Sequence, residues 1–147
     1  MPTTNIYIPL PAHLVAFMRR DTASDSETIT INSKGIFSTM VLNMLEPMPD
    51  DANAGPPKDE SYLQLRLTER FTRGRGNWLH PDKERMLVSW IKRLYEREMG
   101  LWIRERRNRY NLSKLEAVNA WRELHGITDD IRQLDADLKL INRKRIA

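Results

Sequence analysis

The chain has 147 residues, 40% of them hydrophobic, with no cysteine and a formal charge of +4. That length fits one domain or one compact unit with an appendage, and the apolar share, a little below the globular average, is enough to bury a core. A disulfide framework and cysteine-bound zinc are excluded, no run reaches the roughly 18 apolar residues of a membrane span, and residues 1–5 lack the basic start and apolar stretch of a signal peptide, so a cytoplasmic protein without membrane contact is expected.

Ile6, Ile8 and Leu10 alternate with other residues, the two-residue period of a strand, and Pro9 favours an edge position because proline cannot donate a ladder hydrogen bond. Pro11 opens a helix carrying Leu14, Phe17 and Met18 at helical spacing. Residues 21–27 are polar and turn-like, and the β-branched run 28–31 predicts a second strand. Ser33 is placed to cap a helix whose stripe of Ile36, Phe37, Met40, Val41, Met44 and Leu45 belongs to a core or a dimer seam.

Residues 47–60 hold Pro47, Pro49, Gly55, Pro56 and Pro57 among acidic and small residues, a composition that cannot bury itself. This linker is the natural boundary between an N-terminal α/β unit, 1–46, and a region of 61–147 that adds a strand and basic helices. Leu63, Leu65 and Leu67 alternate with Gln64 and Arg66 in a third strand. If that strand pairs with the first two, the linker is a surface excursion and the sheet has about three strands.

Pro81 starts a long helix running to about residue 108, with Asp82 and Glu84 suiting the positive end of its dipole. Met86, Leu87, Trp90, Ile91, Leu94, Leu101 and Trp102 give it a broad apolar face, with Gly100 as a weak point. Ser113 and Glu116 form a capping box before a short helix bearing Val118, Trp121 and Leu124, which Gly126 can end in a left-handed turn. Thr128 can cap a last helix with Ile131, Leu134, Leu138 and Ile141 on one side. The fold class read from this order is α+β: a small strand-helix unit followed by a mainly helical region whose last two helices form either a helix-turn-helix or a plain helical hairpin packed on the long helix.

Charge is unevenly distributed. Residues 1–60 hold 4 Lys and Arg against 8 Asp and Glu, whereas residues 61–147 hold 20 against 12. The basic half therefore points to a polyanion. Phosphate neutralisation needs clustered cations, and two clusters exist: Arg104, Arg106, Arg107 and Arg109, then Lys139, Arg143, Lys144 and Arg145. If they converge they form one patch, with Asn142 available to a base edge or phosphate, and Arg73 and Arg75 in a glycine-containing loop as a third contact. Trp90, Trp102 and Trp121 fall in apolar stripes, while Trp78 lies in the loop near Arg75.

No catalytic constellation accompanies this. His13, His80 and His125 are scattered without metal-ligand spacing, and His80, before a proline, reads as a capping residue. No phosphate-binding glycine loop or nucleophile elbow is present, so neither catalysis nor a cofactor is expected.

The stretches 112–118, Leu-Ser-Lys-Leu-Glu-Ala-Val, and 121–127, Trp-Arg-Glu-Leu-His-Gly-Ile, resemble the C-terminal part of small regulatory proteins of transposable, Mu-like prophages. The resemblance covers roughly the last 40 residues. It implies a helix-turn-helix that enters the major groove of double-stranded DNA and a role in transcription regulation, with a homodimer presenting two such surfaces. The chain departs from that pattern at Arg122, where alanine is usual, and at Asp135, Asp137 and Leu140, where basic and aromatic residues are usual. The rival reading is an assembly adaptor that docks a protein partner on the apolar face of the long helix.

Overall fold

The computed structural model describes residues 3–22, 28–32, 34–50, 52, 55–58, 60–127 and 131–143, the last range without the side chains of 131–133. The chain is α+β and divides into two compact units, Met1–Trp90 and Ile91–Ala147. Ser33 and Thr128, the expected caps, lie outside the described residues.

Unit 1 is built on strands β1 (Thr3–Pro9), β2 (Thr28–Thr30) and β4 (Tyr62–Thr68), in the order β1-β4-β2. β4 runs antiparallel to β1, pairing Ile6 with Leu65 and Ile8 with Leu63, and parallel to β2, pairing Ile29 with Leu65. Pro9 thus sits on an edge strand, where its missing N–H costs no ladder bond. Since β4 is the central strand, residues 47–60 are an excursion within unit 1, and the division between units falls inside the long helix instead of at the linker. The strand alternation works as the sequence indicates: Leu63, Leu65 and Leu67 are buried to 1% exposure or less, while Gln64 and Arg66 lie on the other face.

Helices α1 (Ala12–Asp21) and α2 (Ile36–Met44) contribute Leu14, Phe17, Met18, Phe37, Val41 and Leu42 to this core. The expected α2 stripe is corrected at one side. Ile36 is 75% exposed, and Met40 and Met44 are half-buried, because Leu42 rather than Ile36 completes the buried face. A second small sheet pairs β3 (Leu45–Glu46) with β5 (Trp78–Leu79), following the short helix α3 (Glu69–Thr72). Between α3 and β5, Gly76 has φ +102°, and a Cβ there would stand 2.1 Å from the Glu46 carbonyl carbon. Only glycine fits that approach.

Helix α4 (Pro81–Tyr110) starts on Pro81 as expected, and His80 caps it: its Nδ1 accepts the Asp82 N–H at 3.0 Å. The helix continues through Gly100 to Tyr110. Its buried side chains are Leu87, Ile91, Tyr95, Met99 and Ile103, a four-residue repeat, whereas Met86 and Leu101 are exposed and Trp90, Leu94 and Trp102 half-buried. The apolar face expected around the tryptophans is therefore displaced by about a quarter-turn, toward residues whose spacing packs against neighbours.

In unit 2, α5 (Lys114–Leu124) and α6 (Ile131–Arg143) accompany the rest of α4. Asn111, at φ 53°, ends α4. Ser113 and Glu116 exchange the two bonds of a capping box, 3.1 Å and 3.2 Å, and start α5. Gly126, at φ 64°, ends α5 in a Schellman motif: the Ile127 N–H reaches the Arg122 carbonyl at 2.8 Å and the Gly126 N–H that of Glu123 at 3.1 Å.

Candidate nucleic-acid interface

The three helices of unit 2 pack around Ile91, Tyr95, Met99, Ile103, Ala117, Val118, Trp121, Leu140 and Ile141. Within this interior lies a charged pair. Arg122 and Asp137, 5% and 1% exposed, approach to 3.5 Å, and the Tyr95 hydroxyl donates to the same Asp137 oxygen at 3.1 Å. Burial, reinforced by the Asp137 carboxylate, pushes the Tyr95 phenol well above its ordinary pKa. The pair explains the two departures from the helix-turn-helix pattern at 122 and 137: both side chains face the interior and answer each other, so neither is a surface group.

Outside that interior, Lys92, Arg93 and Arg97 lie early in the unit 2 part of α4, and a second set of cations lies toward the helix ends that follow. Arg107 Nε donates to the Leu112 carbonyl at 3.2 Å, fastening the end of α4 to the α4–α5 turn. Lys114, the first residue of α5, donates from Nζ to Asn142 Oδ1 in the last turn of α6. The C-terminus of α4, the N-terminus of α5 and the C-terminus of α6 are thereby brought together, and the first and last of these carry members of the two basic clusters of the sequence. Lys114 is a member that sequence reasoning missed. Its signal was its place at the first position of the capped helix, directly after the turn that follows the arginine run.

The members differ in freedom. Arg104, Lys139 and Arg143 are exposed and make no ion pair among the described residues. Arg109 pairs with Glu105 at 3.5 Å on the surface, a contact worth under about 1 kcal/mol and easily exchanged for a phosphate. Arg106 lies over the rings of Trp102 and Tyr110, 5.1 and 5.4 Å from their centroids, and is half-buried. It is more a packing group than a free contact. Asn142 is exposed, but its oxygen is already held by Lys114. Lys144 and Arg145 lie outside the described residues.

Arg73 and Arg75 belong to unit 1. Both are exposed; Arg73 stands 3.9 Å from Glu69, and Arg75 donates to the Phe71 carbonyl at 3.2 Å. Their loop is shaped by the close approach at Gly76, a local reason for its glycine. Among the aromatics, Trp121 is buried and packs on Trp102, Tyr95 and His125, Trp90 stacks on Phe37 at 6.1 Å, and Trp78 is half-buried in β5. No group of three or more His, Asp or Glu placed to hold a metal ion occurs among the described residues, and no helix among them is long and apolar enough to cross a membrane. No protein-family model, no curated protein and no solved structure matches the chain.

Proposed function

We propose that this protein is a non-catalytic nucleic-acid-binding protein whose phosphate-binding surface is the basic end of unit 2. The observation that carries the reading is the Lys114–Asn142 contact, which holds the start of α5, just after the arginine run of α4, against the basic end of α6. Arg104, Arg107, Arg109, Lys114, Lys139 and Arg143 then offer a polyanion several cations on short, helix-held stems. Lys144 and Arg145 follow directly in sequence and extend the charge.

The narrower reading is a cytoplasmic, dimeric DNA-binding regulator of a phage or mobile element. It rests on the prophage resemblance of residues 112–127. A helix-turn-helix reads bases with the N-terminal residues of its second helix. Here two of the three cations of α6, Lys139 and Arg143, occupy its last turns and one, Arg132, its first, which weights the helix toward backbone contact. The adaptor reading has less support. Trp90 and Trp102 are partly covered by Phe37 and Trp121, leaving isolated exposed side chains such as Leu101.

The test is a titration of the purified chain with a random duplex and with single strands at several salt concentrations. Micromolar or tighter affinity that falls steeply with salt is the expected result. Absence of binding at low salt would overturn the proposal.

A further inference from the structure

The nucleic-acid reading leaves the acidic character of residues 1–60 unused, and a cleft in unit 1 has chemistry of its own. Its volume is about 70 Å³, and its walls include Asn5, Tyr7, Met48, Asn77, Trp78 and Glu84. Three successive β1 residues, Asn5 to Tyr7, border it. Neighbouring strand residues point to opposite faces, so the cleft runs along the outer edge of this edge strand. The facing wall is formed around β5.

Two groups in this cleft have no side-chain partner among the described residues. Asn5 Oδ1 is covered from solvent, and no described group donates to it. A ligand donor reaches it with a turn of the side chain toward the cleft, and then supplies the bond that the acceptor lacks. Glu84, in the first turn of α4, makes no ion pair or side-chain hydrogen bond among the described residues, because the adjacent cations are engaged elsewhere. Lys83 binds Glu46 at 3.3 Å and Arg85 binds Asp82. Burial raises the Glu84 carboxyl above the usual range, Arg85 opposes this and Glu60 adds to it.

We propose that this cleft binds a small organic cation bearing an N–H, an alkylammonium head, with Glu84 as counter-ion, Asn5 Oδ1 as acceptor and Tyr7 and Trp78 as aromatic walls. Each alternative fails on one of these groups. An anion meets the Glu84 carboxylate, and a neutral apolar molecule leaves both polar groups unpaired. A quaternary ammonium suits the rings and the carboxylate but brings no donor for Asn5. A hard metal ion needs more oxygen ligands than this cleft assembles. The proposal stands independently of the nucleic-acid reading.

The experiment is an amide and indole NMR titration of the full chain with n-butylammonium chloride, beside 1-butanol and tetramethylammonium. Saturable shifts of the Trp78 indole N–H and the Asn5 carboxamide are expected with n-butylammonium, weaker ones with tetramethylammonium and none with 1-butanol. Glu84→Gln should lower the affinity about tenfold or more, the worth of a charged hydrogen bond. Asn5→Asp, which adds a second carboxylate oxygen, should raise it. Nα-acetyl-lysine methylamide as a further ligand separates the sources: tighter binding than n-butylammonium indicates a polypeptide lysine, weaker binding a free amine. No saturable shift, equal shifts with 1-butanol, or unchanged affinity in Glu84→Gln would overturn the site. Should Glu84→Gln fail to fold, unchanged or lower affinity in Asn5→Asp would do so.

Discussion

Unit 1 closes its sheet over a core in which Ser38 is the buried polar residue among those described, whereas unit 2 holds an arginine and an aspartate among its apolar side chains. The arginines of unit 1's loop are exposed, while those of unit 2 differ among themselves: Arg122 is paired in the interior, Arg106 stacked on rings, Arg109 paired at the surface, and Arg104 and Arg143 exposed without an ion pair among the described residues. A charge count treats all of these alike. What separates them is position relative to the apolar stripe. A cation on the stripe is an interior group that needs an answering charge, and a cation off it is available to a partner.

The largest test of this contrast is Asp137→Ala, which leaves the Arg122 guanidinium buried and unanswered. A loss of about 3–5 kcal/mol is expected in denaturant unfolding, the range for breaking a buried pair. A loss under about 1 kcal/mol, typical of a surface pair, would mean that the pair is solvated. Unit 1 supplies the apolar counterpart in Gly76→Ala. The added Cβ would collide with the Glu46 main chain at a φ that L-residues avoid, and a cost of about 2–4 kcal/mol follows from strain and overpacking together. Stability unchanged by that substitution would show that the β3–β5 approach is loose.

Tyr95→Phe should cost about 2 kcal/mol, since it removes a hydrogen bond to a carboxylate. It also has a pH signature. The phenol is held above its ordinary value of 10.0 in the folded protein, so the unfolded chain ionises first. Below pH 10 both states keep the proton and Tyr95 adds no pH dependence; above it stability falls, and Tyr95→Phe should flatten that fall. The smallest effect is Ser113→Ala, about 1 kcal/mol for the missing N-cap, read as a lower melting temperature. The same variant should return the Glu116 carboxyl, lowered by its bonds to Ser113, toward the usual range in a carboxylate NMR titration.

Much of the fold was legible because local chemistry and tertiary packing agree. Pro9 on an edge, Pro81 at a helix start, the Ser113–Glu116 box and the Gly126 turn each act over a few residues, and the leucine alternation of β4 states its own burial. The order of the sheet was less legible, since β4 must cross residues 47–60 to lie between β1 and β2, a long-range pairing that no local signal announces. The face of α4 was hard to place because its tryptophans outweigh, in bulk, the four-residue repeat Leu87, Ile91, Tyr95, Met99 and Ile103. At the candidate interface the clusters were readable from composition, but the Lys114–Asn142 contact was not, as it depends on how α6 folds back. The Arg122–Asp137 pair did leave a trace: charges of opposite sign standing on the apolar stripes of consecutive helices.

The most direct measurement of the central claim compares the salt dependence of duplex binding in two charge-reversal variants. One carries Arg104→Glu, Lys139→Glu and Arg143→Glu in unit 2, the other Arg73→Glu and Arg75→Glu in unit 1. If the basic end of unit 2 is the phosphate-binding surface, the first variant should flatten the slope of log affinity against log salt by about 0.9 for each phosphate no longer neutralised, roughly 2–3 in all, and bind every sequence more weakly. The second should weaken less. An unchanged slope in the first variant would contradict the account, as would weakening confined to the second.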